Sequence, residues 1–111
     1  MAKQSSKERG VLVLTTVAKQ SQARKLAKAL IEERLCACVS IVPNLESLYH
    51  WNDRIESSGE LLMLLKTTRR KLRSLERRLG ELHPYEVPEI LALEPSSIAP
   101  AYARWLSAST R

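Results

Sequence analysis

Residues 60–67 read ELLMLLKT, and the fold turns on how this stretch is read. The apolar run Leu61–Leu65 has the length of a strand. It is bounded by the turn-forming Ser57-Ser58-Gly59 on one side and by a strongly basic segment on the other. Because no polar residue alternates with the apolar ones, both faces of this strand should be covered. The run Val11–Val17, VLVLTTV, has the same character and reads as a second buried strand.

Outward from residue 67 the pattern becomes helical. Leu72, Leu75, Leu79 and Leu82 recur at helical spacing and form one apolar stripe, with Arg70, Arg73 and Arg77 on the far side, so a helix is expected over 68–82. His83 precedes Pro84, which pushes it out of the helical region and stops the helix. Upstream, Ser21 is a plausible N-cap, and Ala23, Leu26, Ala27, Leu30 and Ile31 mark a helix over 21–34. Cys36–Val42 reads as a strand that bends near Pro43-Asn44, and Leu45–Trp51 resumes it. Asn52-Asp53 is turn chemistry, after which Arg54-Ile55-Glu56 returns until Ser57-Ser58-Gly59 breaks the chain again. Ile90–Leu93 is the last strand, and Ile98, Tyr102, Trp105 and Leu106 point to a short C-terminal helix with Pro100 in its first turn.

The resulting order β-α-β-β-α-β is that of an α+β, ferredoxin-like sandwich with a long hairpin and a short C-terminal helix. Two helices cover only one side of such a sheet, yet VLVL and LLMLL are apolar on both. The economical cover for the other side is a second copy of the chain, so a homo-oligomer is expected, with the 37–58 hairpin as its arm.

Composition bounds the function. The chain has 111 residues, 44% of them hydrophobic, and fits one domain over 11–111 behind a flexible basic tail over 1–10. No apolar run is long enough to cross a membrane, and the N-terminus lacks a secretory pattern, so a cytoplasmic location is expected. The net charge of +6 is concentrated over 66–78, where Lys66, Arg69, Arg70, Lys71, Arg73, Arg77 and Arg78 face a single acid, Glu76. Phosphate binding by such a face would be salt-sensitive, but the chain has no Phe and its Tyr and Trp lie elsewhere. A solvated outer face is the simpler reading and argues against nucleic acid. Cys36 and Cys38 are two apart in an apolar run and read as small core residues rather than a bridge or a metal pair. No glycine-rich phosphate loop or Ser-His-Asp pattern is present, so no enzymatic role is expected.

The blocks CACVSIVP at 36–43, SLYHW at 47–51, ELLMLLKT at 60–67, HPYEVPEILAL at 83–93 and YARWL at 102–106, in this order and spacing, closely resemble the CutA family of divalent-cation tolerance proteins. The resemblance spans roughly residues 11–107. It implies a tight homotrimer similar in architecture to the nitrogen-regulatory PII proteins, with binding of Cu2+ or another divalent cation such as Zn2+. Imidazole with carboxylate suits those ions, which makes His83, Glu86 and Glu89 the candidate metal ligands. In some relatives a cysteine of the first strand joins the corner histidine, and the matching position here is Thr15; where a second histidine can precede HPY, this chain has Leu82. The alternative for His83 is a structural one, its imidazole capping the last helical carbonyls. His50 reads as exposed or cross-strand packed.

The resemblance also implies a cleft between subunits lined by Trp51, Glu60, Lys66, Tyr85 and Glu89. Either these residues are interface packing with Lys66 paired to Glu60 or Glu89, or they form a pocket in which Lys66 holds a small anionic ligand, as in a PII-like signalling or scaffold trimer.

Overall fold

In a computed structural model, which describes residues 8–111, the chain forms β1 (Gly10–Val17), α1 (Gln20–Glu32), β2 (Cys38–Trp51), β3 (Arg54–Thr68), α2 (Arg69–Leu82), β4 (Leu91–Leu93) and α3 (Pro100–Ser109). The sheet runs β2-β3-β1-β4 with every neighbouring pair antiparallel. Each long helix follows a strand, and together they cover one face of the sheet.

The strand pleat divides the apolar runs between two environments. Val11, Val13, Thr15 and Val17 of β1 and Leu61, Met63, Leu65 and Thr67 of β3 are buried. The apolar members of this set join Ala23, Leu26 and Leu30 of α1 and Leu75 and Leu79 of α2 in one core. The alternate residues Leu12, Leu14, Leu62 and Leu64 are only partly covered. On the same face Leu91 and Leu93 are about half exposed, at 51% and 47%. α3 covers one end of this second face. It and Ile98, just ahead of it, come so close to β1 that a side chain at Gly10 would lie 2.8 Å from Ile98 Cδ1 and 3.1 Å from Leu106 Cδ1.

The hairpin is longer and more regular than its sequence suggests. Asn52 and Asp53 adopt left-handed φ values of 51° and 60°, the signature of a tight two-residue turn matched to strand twist. That turn fixes a register in which Ser57, Ser58 and Gly59 pair with Leu48, Ser47 and Glu46, so β3 is unbroken where a chain break is expected. Tyr49 Oη and Ser58 Oγ lie 3.1 Å apart, and Ser57 Oγ donates to Glu46 at 3.2 Å. These cross-strand bonds override the local turn preference of the serines and glycine. The kink at Pro43-Asn44 is a bulge, with the register shifting between Val42 and Leu45 and Asn44 at φ 62°.

Three further boundaries differ from the sequence reading. α1 starts at Gln20 with Lys19 as an uncapped N-cap, and Ser21 is exposed inside the first turn. Cys36 precedes β2 rather than opening it; it is buried, and burial pushes its thiol pKa up to about 12, with Cys38 adding to the rise. The expected tail over 1–10 falls largely outside the described residues, but Gly10 already pairs with Thr68 and Glu8 forms an ion pair with Arg70.

Candidate functional site

The HPYEVPE corner begins where α2 stops. His83 has φ −67° and ψ 135°, and its N–H donates to the Leu79 carbonyl at 2.8 Å. Its ring does not turn back onto the helix end. It crosses to β1, where Nε2 lies 2.9 Å from the Thr16 carbonyl and 3.1 Å from Thr15 Oγ1. β4 pairs with β1 only at Leu12–Leu14, so past that point the edge of β1 is met by this imidazole instead of a strand. The Tyr85 N–H donates to His83 Nδ1 at 3.1 Å, which fixes the tautomer: Nδ1 accepts and Nε2 carries the proton. The Tyr85 ring sits 4.8 Å away, tilted by 60°.

Burial pushes the His83 pKa below its ordinary 6.5, against the opposing influence of the Thr16 carbonyl and of Glu60. Below pH 6.5 the unfolded chain takes up a proton that the folded chain refuses, so stability falls as pH drops from 6.5 toward the depressed folded-state value. His83→Gln, which keeps a donor but does not titrate, is expected to flatten the melting temperature between pH 7.5 and 5.5. An undiminished acid slope in this variant would assign the effect to other groups.

Glu86 and Glu89 lie exposed beyond the corner. Among the described residues no group of three or more His, Cys, Asp or Glu side chains is placed to hold a metal. Both His83 nitrogens are engaged by the protein itself. Within one protomer this donor set does not fit a resident metal centre. Thr15, at the position where some relatives carry cysteine, does lie against the imidazole, whereas Leu82 packs against the core.

The candidate cleft residues are only partly brought together. The Tyr85 hydroxyl donates to Glu60 Oε2 at 2.6 Å, and burial first, then Glu60, raises the Tyr85 pKa. Lys66 is six residues further along β3, roughly 20 Å at strand spacing, so the expected pairing with Glu60 does not form. Its ammonium instead meets Ser40 Oγ, with Cys38 Sγ at 3.8 Å, because the β2–β3 register places Cys38 and Ser40 beside it. Trp51 is exposed at the hairpin tip, and His50 is exposed opposite Ile55. Two partners in these contacts carry no sequence signal. Thr16 contributes a backbone carbonyl, and Ser40 is an unremarkable strand residue until the register is known.

Residues 11–109 match the profile of the CutA1 divalent ion tolerance protein family. The chain is 48% identical over 99 residues to the divalent-cation tolerance protein CutA of Thermus thermophilus, covering 89% of this chain and 96% of that one. The solved Thermus thermophilus structure superposes with a TM-score of 0.88 at 46% identity, covering 92% of this chain and 99% of that one. CutA1 from Oryza sativa superposes at 0.90 with 36% identity, covering 96% and 98%. With sequence and fold in agreement along almost its whole length, the chain belongs to the CutA1 family of divalent-ion tolerance proteins.

Proposed function

We propose that this protein is a non-enzymatic, cytoplasmic homotrimer of ferredoxin-like subunits that contributes to divalent-cation tolerance by meeting the ion as cargo. The match along nearly the whole chain to proteins named for that tolerance carries the reading. Copper or zinc is the cargo that suits imidazole and carboxylate donors. The cargo-facing groups are His83, Glu86 and Glu89, clustered in sequence at one corner. Nδ1 is the only His83 nitrogen with a lone pair in this arrangement, and it is taken up by the Tyr85 N–H. An ion held there would have to displace that hydrogen bond, which would lower its affinity and favour passing contact over storage.

Calorimetric titration with Cu2+ of the native protein and of His83→Gln tests this. Loss of the copper isotherm in the variant is expected, and equal isotherms would remove His83 from the ligand set.

The trimer is supported by the second face of the sheet, where Leu12, Leu14, Leu62 and Leu64 remain partly uncovered beside the exposed Val42, Leu91 and Leu93. A cleft that unites Trp51 and Lys66 with Glu60 and Tyr85 takes these residues from more than one subunit, since one protomer spreads them along the hairpin.

A further inference from the structure

The outer side of the helix layer takes no part in the cargo corner or in the sheet face proposed for assembly. We infer that this layer binds the phosphate backbone of a nucleic-acid duplex without reading its sequence. The inference is independent of the copper assignment.

α1 and α2 hold nine of the eighteen Lys and Arg and only three of the twelve Asp and Glu. The whole net charge of +6 therefore lies on this layer, and the rest of the chain is balanced. A surface that intersperses the two signs avoids a single-sign field; this one does not, and such a field draws in polyanions. Arg24, Lys25, Lys71, Arg73 and Arg77 form neither an ion pair nor a side-chain hydrogen bond among the described residues. No Asp or Glu occurs in residues 1–7. Burial of the Leu26 and Leu30 side of α1 and the Leu75 and Leu79 side of α2 leaves Arg24, Lys25, Arg73 and Arg77 exposed on the other side.

The arrangement selects among polyanions. The two helices pack side by side, tied by the Arg78–Glu33 ion pair at 2.9 Å, so their exposed cations form two rows. Arg24, Lys25 and Lys28 make one row, and Arg70, Arg73 and Arg77 make the other, spanning about 10 Å of helix axis. Packed helices lie about 8–10 Å apart, within reach of the two phosphate strands that flank a minor groove about 6 Å wide. A single thread such as polyphosphate occupies one row and leaves the other unmatched. Five of the six cations of α2 are Arg, whose planar fork donates two N–H bonds to one phosphate. Neither helix contains an aromatic residue, which rules out a base-stacking reader of single strands but not a reader of phosphates. A helix that lies on a membrane needs apolar residues on its outward side, whereas every leucine of α1 and α2 lies in or against the core.

The test is fluorescence anisotropy of the full-length protein with a labelled DNA duplex of about twenty base pairs, over salt from about 50 to 200 mM. Binding is expected to fall steeply with salt and to differ by less than about threefold between two unrelated sequences, as backbone contacts require. Arg73→Gln combined with Arg77→Gln should weaken binding by about tenfold and reduce the logarithmic salt slope by about two. Arg104→Gln combined with Arg111→Gln removes the same charge from exposed positions outside the layer and should weaken binding by less than about threefold. Unlabelled single strand, polyphosphate and poly-glutamate at equal charge should each compete less well than unlabelled duplex. Absence of binding at about 50 mM salt, equal losses in the two double variants, or competition by any of the three other polyanions as strong as that of the duplex would overturn the proposal.

Discussion

Leu65→Ala is expected to lower unfolding stability by about 2–5 kcal/mol, measured by denaturant titration followed by circular dichroism. Leu65 has 0% exposure in the last third of β3, with Val13 opposite on β1 and Val39 opposite on β2. α1 and α2 close over it through Leu30, Leu75 and Leu79, and a rigid two-layer core has little freedom to collapse into the space left by an isobutyl group. A cost below about 1 kcal/mol would mean that the helix layer relaxes onto the sheet.

The next residue along predicts a different phenotype. Leu64 points to the second face of the sheet, opposite Leu14 and Ser40, and is only partly covered. Leu64→Glu is therefore expected to act on the proposed trimer, lowering the light-scattering mass toward the 12.6 kDa of one chain. The helix layer, which Leu64 does not touch, should keep its far-ultraviolet signature. A carboxylate forced into an apolar interface without a partner costs several kcal/mol per copy, and a symmetric trimer would bear it three times. A variant that retains the full assembled mass would show that subunits do not meet through this face.

That two adjacent leucines are expected to fail in such different ways is already implicit in LLMLL. A strand apolar on both sides announces two burials, and α1 and α2 supply only one. The stripe Leu72, Leu75, Leu79 and Leu82 was equally legible, because helical periodicity survives in a single segment. The continuity of β3 was not legible. Ser57-Ser58-Gly59 is turn-like in isolation, and only the left-handed pair Asn52-Asp53, acting across the hairpin, makes it strand. Ser21 likewise looked like a cap, but the helix began a residue before it.

The site divides in the same way. His83 as a helix-ending corner follows from Pro84 alone. Its attachment to β1 does not, because a backbone carbonyl has no residue identity to read and only the early departure of β4 exposes that stretch of β1. Lys66 reads in sequence either as the partner of Glu60 or Glu89 or as the holder of a small anion, yet it meets Ser40, which is set beside it by a pairing that runs through the bulge at Pro43.

The two edges of the sheet are unequal: β2 presents fourteen residues and β4 only three. Fibril growth by strand addition needs an acceptor edge at both ends of each unit. Here a long strand docked along β2 would leave only the three-residue β4 at the far side of the sheet. Unequal edges of this kind work against repeated strand addition, since a sheet that offers three residues at one side templates little of a further long strand.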